Sequence, residues 1–168
     1  MITALRIQNL AIVESLEVLF DEGFNVITGE TGAGKSLLVD ALHLILGGRA
    51  NLDLVRTGAD EACVEALFEG LELDAALDAF GLPTDAGSLL IRRTLSRSGR
   101  GRVWINGALS TVGQLEKLAH GLIDISGQHE HVSLLDAELH LGLLDAFADD
   151  GELLKRYSVS HAALIDHH

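Results

Sequence analysis

The sequence predicts an α/β fold in which a mixed β-sheet and an antiparallel β-subdomain pack against helices. Three observations lead to this prediction. Alternating apolar stretches dominate the N-terminal two thirds, a glycine-rich loop links a strand-like to a helix-like stretch at 24–46, and helical apolar spacing prevails from residue 131. With 168 residues and 48% hydrophobic content, the chain has the size of one ordinary domain.

The strands are predicted from their apolar alternation. "ALRIQNLAIVESLEVLF" alternates twice, at Leu5/Ile7 and at Leu16/Val18/Phe20, and so predicts two strands. "FNVIT" (24–28) is apolar enough to predict a third strand that is buried on both faces. Asn106-Gly107 is a strong turn signal. The other predicted strands are "ACVEALFEG" (62–70), "SLLIRRTLS" (88–96), "RVWI" (102–105) and the short buried "LIDIS" (122–126).

The helices are predicted from apolar spacing and from start and stop signals. Ser110 and Thr111 are candidate caps for one of them. The chain ends within a helical pattern without a stop signal, so we expect the last helix to be truncated. The predicted helices are "SLLVDALHLIL" (36–46), "ELDAALDAFG" (72–81), "STVGQLEKLAHG" (110–121) and most of 131–168, and an extended loop is predicted at 47–60.

Composition narrows the functional class. The net charge of -13, with a pI near 4.8, argues against a chain that coats nucleic acid with its whole surface. The sequence has no apolar run of membrane-spanning length and no secretion signal at its start. The single cysteine, Cys63, cannot form an internal disulfide, and its alternating context predicts a small buried side chain rather than a nucleophile. We therefore expect a cytoplasmic protein with no membrane partner.

Residues 29–36, "GETGAGKS", match the phosphate-loop pattern GxxxxGK[ST] at every fixed position, between a predicted strand and a predicted helix. Backbone N–H groups of such a loop and the positive end of the helix attract phosphates. Lys35 is expected to reach the β- and γ-phosphates, and the Ser36 hydroxyl to ligate Mg²⁺. The predicted nucleotide-binding residues are Gly29, Glu30, Thr31, Gly32, Ala33, Gly34, Lys35 and Ser36.

The acidic residue that holds the metal ion through water in a phosphate-loop ATPase is harder to find. Such enzymes place an acidic residue after four apolar residues, at the end of a second buried strand. Asp124 in "GLIDIS" is the best candidate, but only two large apolar residues precede it. Asp145 and Asp166 lie in helical patterns. We therefore expect the second half of the site to lie outside this chain.

The chain resembles a known family over about residues 2–148. Residues 5–42 resemble the start of SMC-like ATPases, whose ABC-type heads sit on long coiled coils. More closely, "GETGAGKS", "LGGRANLDLVRTG", "VWINGALSTVGQL" and "DISGQHEHVSLLD" resemble the RecN family of DNA repair proteins. The resemblance implies an N-terminal ATP-binding head lobe at 1–148, followed at 149–168 by the start of a coiled-coil helix.

The resemblance also implies partners and a role. A C-terminal head lobe would carry the signature motif, the acidic strand and the catalytic glutamate. Two heads would form a homodimer around two ATP molecules, hydrolysis would release them, and the whole protein would bind DNA during double-strand break repair. The implied location is the bacterial cytoplasm, in association with the nucleoid. ATP rather than GTP rests on the family, and no guanine-specific NKxD motif occurs.

Residue by residue, the resemblance adds two functional positions. Gln128 falls at the family's Q-loop glutamine, where its carbonyl oxygen would ligate Mg²⁺ and its amide would orient a water; with Lys35 it is the predicted catalytic pair. Arg56 falls near the arginine that SMC-like heads place against the nucleotide phosphates. Arg49 is a rival for that role, because the spacing from Lys35 to Arg56 differs by one residue from the SMC pattern.

Several features have two interpretations. His129 and His131 form an HxH pair that could bind metal, although polar residues at a helix start are favoured. Trp104 and Phe147 are expected in the core. The leucine-rich 134–147 segment could pack on the lobe or form the root of a coiled coil. The five arginines at 92, 93, 97, 100 and 102 could touch DNA phosphates or form a solvated hairpin tip.

Two other functions compete with the head lobe. One is a self-contained small phosphate-loop kinase or NTPase, with Asp124 as its acid and the arginines at 92–102 as a lid. The other is a module that binds nucleotide and never hydrolyses it. The weak acidic strand argues against the first, and ATP turnover by the chain alone would separate the two.

Overall fold

A computed structural model describes residues 1–29, 34–71, 73–99, 101–119 and 151–165. It also describes Leu122, Ile123, Ile125, Leu141, Leu144, Asp145, Phe147 and Ala148. The chain divides into two units, Met1–Ile123 and Asp124–His168.

A six-stranded antiparallel sheet organises the first unit. Its order is β2-β1-β3-β4-β5-β6, and every neighbouring pair is antiparallel. Asn106 and Gly107 have φ of 46° and 81°, as a tight hairpin turn requires. The antiparallel subdomain and its turn are thus confirmed. The strands are β1 (Ile2–Leu10), β2 (Val13–Leu19), β3 (Glu61–Phe68), β4 (Leu89–Ser96), β5 (Arg102–Ile105) and β6 (Ala108–Ser110).

The helices lie where the apolar spacing predicted them. In the first unit they are α1 (Gly34–Ile45), α2 (Asp74–Ala79) and α3 (Val112–Ala119), and in the second α4 (Gly151–Ile165). The predicted cap of α3 is confirmed at Thr111. Thr111 Oγ1 accepts from the Gln114 N–H at 3.1 Å, while Gln114 Oε1 accepts from the Thr111 N–H at 3.0 Å. The predicted loop at 47–60 contains a short 3-10 turn, Leu52–Leu54.

One apolar core joins the sheet to α1 and α3. Helix α1 packs on β3 and β4, and α3 packs on β5. Each fully buried aliphatic side chain contributes about 1.5–3 kcal/mol to folding. The core includes Leu5, Ile7, Val64, Phe68, Ile91 and Ile105 from the sheet, Leu37, Leu38, Ala41, Leu44 and Ile45 from α1, and Leu115, Leu118 and Ala119 from α3.

The prediction that "FNVIT" forms a buried strand is wrong. Residues 24–28 belong to no strand, and the side chains of Phe24, Val26 and Ile27 are 92%, 66% and 46% exposed. A strand needs a neighbour to bond its backbone, and no described segment pairs with this one. The described strands therefore contain no parallel pair, although the prediction of a mixed sheet needed one.

Two C-terminal predictions also fail within the described residues. Leu122, Ile123 and Ile125 of "LIDIS" are not in a strand; Leu122 and Ile123 lie partly buried at the edge of the core instead. Phe147, expected in the core, is 92% exposed. The described residues between 141 and 148 are helical, as predicted, but Leu141 and Leu144 are exposed as well. Trp104 is half-buried rather than fully enclosed.

The end of α1 is fixed by two glycines and one arginine. The Gly48 N–H donates to His43 O at 2.8 Å and the Gly47 N–H to Leu44 O at 3.2 Å, with Gly47 at φ 94°. Arg93 of β4 reaches the same place: its Nη1 donates to Leu44 O and to Gly48 O, both at 2.7 Å. The glycine hydrogen bonds thus end the helix, and the Arg93 hydrogen bonds anchor that end to the sheet.

The helices of the described residues include none with the length and apolar character needed to cross a membrane.

Candidate nucleotide-binding site

The phosphate-loop sequence leads directly into the first turn of α1. Gly34 is the first helical residue, and Lys35 and Ser36 follow it with exposed side chains. The first turn contains no acidic residue. The partial positive charge of the helix N-terminus and the Lys35 ammonium therefore act together, in an exposed position suited to an anion.

The Lys35 ammonium donates a hydrogen bond to the backbone carbonyl of Gly29, the first residue of the loop. This contact holds the side chain folded back toward the first residue of the loop. A phosphate oxygen is a stronger acceptor for an ammonium than a neutral carbonyl. Lys35 is thus placed at the loop, with a partner that an anionic ligand could replace.

The two described loop glycines are not required by packing. A Cβ built at Gly29 or at Gly34 would meet no described atom within 4 Å. Packing against the described residues therefore requires glycine at neither position, which leaves the backbone open to close approach by a ligand.

The rest of the predicted site lies outside the described residues. This holds for Glu30, Thr31, Gly32 and Ala33 of the loop, for the glutamine at the Q-loop position, Gln128, and for Asp124, Asp166, His129 and His131. Their predicted roles remain predictions. The described residues hold no cluster of three His, Cys, Asp or Glu side chains suited to a metal ion.

Arg56 lines a polar pocket of about 500 Å³, together with Gln8, Asn9, Asp60, Glu61 and Arg92. Its guanidinium is half-exposed and lies 3.5 Å from a carboxylate oxygen of Glu14. Neither Lys35 nor Ser36 is among the lining residues. Arg49 is exposed just beyond the end of α1. The choice between Arg56 and Arg49 thus stays a prediction.

The arginine-rich hairpin is used largely for internal contacts. Arg93 is only 5% exposed, and burial lowers its pKa while Glu116 opposes that shift. Arg97 donates to three backbone carbonyls of the 55–60 segment. Arg92 lies 3.5 Å from Glu65 and 5.2 Å from the centre of the Trp104 ring. Arg102 is exposed, and Arg100 lies outside the described residues.

The roles of Arg93 and Arg97 were missed in the sequence. Arg93 did carry a signal, because it falls in phase with Leu89, Ile91 and Leu95, which are buried. An arginine on the inward face of a strand must find acceptors, and here the end of α1 supplies them. Arg97 carried no such signal, since its acceptors lie about forty residues away in a loop.

Cys63 has the structural role expected of it. Its side chain is buried on β3, and burial raises the pKa of the thiol, although the nearby Arg92 works in the opposite direction. A thiol held in its protonated form is a poor nucleophile.

The chain matches one family model and is similar to curated DNA repair proteins. The family model described as AAA domain matches residues 4–100. The DNA repair protein RecN of Halalkalibacterium halodurans is 46% identical over 152 residues, which are 88% of this chain and 27% of that protein. RecN of Bacillus subtilis is 40% identical over 151 residues, 88% of this chain and 26% of that protein. The chain thus spans about a quarter of the length of these relatives.

Solved structures give the same architecture. An SMC ATPase, studied for its ATP-driven dimerization and DNA-stimulated activation, superposes with a TM-score of 0.60 at 25% identity. The match covers 75% of this chain and 86% of that one. The predicted fold class, a phosphate-loop head lobe of the SMC type with an antiparallel β-subdomain, is confirmed.

Proposed function

The chain belongs to the AAA domain family, and we propose that it is the ATP-binding lobe of a RecN-like, SMC-type head that acts in DNA double-strand break repair. The observation that carries the proposal is the "GETGAGKS" sequence at the positive end of α1, with the Lys35 ammonium on the Gly29 carbonyl. The likeness to RecN proteins over 88% of the chain supports the repair role.

The described part of the loop fits a triphosphate with its magnesium ion. Lys35 would exchange the Gly29 carbonyl for the β- and γ-phosphates, and the exposed Ser36 hydroxyl would ligate Mg²⁺ together with Gln128. The ion would offset the negative charge of the phosphates. Gln128 would also orient a water, and Arg56 would leave Glu14 to contact a phosphate.

A second lobe would complete the site. Residues 24–28 pair with no strand of the described residues and lie exposed immediately before the phosphate loop. We infer that a C-terminal lobe of the same protein supplies the partner strand, the catalytic acid and the signature motif. Two complete heads would then join around ATP, and hydrolysis would release them, in a cycle that tethers DNA.

The domain division remains part of the proposal. Residues 1–148 would form the lobe, and residues 149–168, which include all of α4, would begin the coiled coil. The two RecN relatives compared above are bacterial proteins, so the proposed location is the bacterial cytoplasm, in contact with the nucleoid.

The small-kinase alternative is not favoured. It needs an independent catalytic acid and a cationic lid within this chain. Two of the arginines assigned to the lid, Arg93 and Arg97, are instead hydrogen-bonded to the chain's own backbone carbonyls. The likeness to RecN proteins covers 88% of the chain and supports the head lobe instead.

The test is to measure ATP binding and steady-state ATP turnover by this chain, with Lys35→Ala as the control. We expect binding without turnover in the unmodified chain and loss of binding in the variant, because the ammonium next to the triphosphate is removed. Adding a separately produced C-terminal lobe should start turnover. Turnover by the chain alone that vanishes in Lys35→Ala would favour the small enzyme instead, and unchanged affinity in Lys35→Ala would refute the phosphate-loop assignment.

A further inference from the structure

The loop that carries Arg56 receives hydrogen bonds from the side chain of Arg97, which lies elsewhere in the chain. Residues 55–60 follow the 3-10 turn and precede β3 without forming a strand or helix of their own, apart from a single bridge at Val55. Such a loop leaves backbone carbonyls that need partners. Three of these carbonyls, from Val55, Arg56 and Ala59, receive hydrogen bonds from the guanidinium of Arg97.

The geometry of this contact depends on the shape of an arginine. Nε donates to Ala59 O at 2.9 Å, and Nη2 donates to Val55 O at 3.0 Å and to Arg56 O at 3.3 Å. A planar guanidinium can reach acceptors on both sides of a turn at once, whereas a lysine ammonium is a point donor on a flexible stem. The main chain adds a fourth contact, from the Arg97 N–H to Asp60 O at 3.0 Å.

The loop is also fixed at its other side. The Arg56 N–H donates to Asn9 O of β1 at 2.9 Å, and the Ala59 N–H donates to Arg56 O at 3.0 Å. The main chain of Arg56 is thus held between β1 and the turn of the β4–β5 hairpin. Its side chain remains half-exposed at the polar pocket.

We propose that Arg97 is a positioning residue that fixes the 55–60 loop and so presents the Arg56 side chain to the nucleotide phosphates. The proposal rests on the phosphate-contact role that the proposed function gives to Arg56. A long side chain whose backbone is already fixed loses less conformational freedom when it meets a phosphate than one on a loose loop. Arg97 therefore acts on the site through Arg56, without touching the nucleotide.

The experiment compares Arg97→Gln with Arg102→Gln, which removes the same charge from an exposed arginine of the same hairpin. The dissociation constant for ATP with Mg²⁺ is measured by calorimetry on the 168-residue chain, and the thermal midpoint is measured without nucleotide. We expect Arg97→Gln to weaken binding roughly three- to tenfold and Arg102→Gln to change it less than about twofold. Unchanged affinity in Arg97→Gln with only a lower thermal midpoint would reduce Arg97 to a structural brace and overturn the proposal.

The double variant tests the route of the effect. Arg56→Ala alone is expected to weaken ATP binding by roughly tenfold. Arg97→Gln added to Arg56→Ala should cost no further affinity, because the side chain that it positions is gone. If the affinity lost by the double variant equals the product of the two single fold-losses, Arg97 acts independently of Arg56, and the proposal is overturned.

Failure of the proposal and failure of the proposed function give different results. If Lys35→Ala loses ATP while Arg56→Ala binds normally, Arg56 has no role at the phosphates and the positioning proposal falls, but the phosphate loop stands. If Lys35→Ala retains affinity, the proposed function itself falls. Should Arg97→Gln not fold, Arg97→Lys replaces it: amide exchange at Ala59 should rise and ATP affinity should fall, and an unchanged affinity in that variant would again overturn the proposal.

Discussion

Arg93 shows how a single residue can be misjudged when only its charge is considered. In the sequence it belongs to a run of arginines and suggests a DNA or solvent contact. In the structure it is buried, and one of its nitrogens serves two carbonyls at the end of α1. Burial of a cation is tolerated because acceptors are present. The residue therefore holds the phosphate-loop helix on the sheet rather than facing a partner.

We predict that Arg93→Met destabilises the chain by about 2–4 kcal/mol, because two carbonyls at the end of α1 lose a charged donor in a buried place. The free energy of unfolding in urea provides the measurement. Arg102→Met, which removes an exposed arginine from the neighbouring strand, is the matched control and should change that free energy by less than about 0.5 kcal/mol. A loss below about 1 kcal/mol for Arg93→Met would contradict the anchoring role.

Helix α1 is the element on which the candidate site depends. Its N-terminus carries Lys35 and Ser36, and its C-terminus ends at a glycine pair, of which Gly47 has a left-handed backbone. Gly47 has φ 94°, and a Cβ there would lie 2.4 Å from Cγ of Glu116 on α3. Both the backbone and the packing therefore require glycine at position 47, where the end of α1 comes close to Glu116.

For this element, the prediction concerns the glycine that ends α1. Gly47→Ala should lower the free energy of unfolding by about 1–3 kcal/mol, because alanine is strained at positive φ and the Glu116 side chain must move. Thermal unfolding by circular dichroism measures the effect. Gly113→Ala, inside α3 with open space around it, is the control and should be neutral or stabilising by up to about 1 kcal/mol. If both variants behave alike, the requirement for glycine at position 47 is refuted.

At the scale of the whole molecule, the feature with the largest consequence for association is the group of exposed apolar residues just before the phosphate loop. Phe24, Val26 and Ile27 form an apolar strip that the described residues leave uncovered. Apolar strips of this kind mark interfaces or sites of association. The proposed C-terminal lobe would cover the strip, and in its absence other copies of the chain are the available partners.

We therefore predict that the isolated chain self-associates with rising concentration. Replacing Phe24 and Val26 together by Ser and Thr should shift the sedimentation profile toward monomer. It should also weaken capture of the C-terminal lobe while leaving the thermal midpoint within about 2 °C, because exposed side chains contribute little to folding. Leu109→Ser, at an exposed leucine of β6, is the control and should affect neither property. Equal self-association in all three proteins would exclude the strip as the contact.

The sequence alone identified the phosphate loop, the antiparallel strands, the Asn106-Gly107 turn and the amphipathic helices, because these depend on local signals: residue spacing, turn chemistry and caps. Only the tertiary structure decided which arginines turn inward, since Arg93 and Arg97 find their acceptors more than thirty-five residues away in the chain. It also decided that "FNVIT" is not a strand here. Apolar composition gives a segment the capacity to form a strand, but the hydrogen bonds that make it one come from a neighbour, and the described residues provide none.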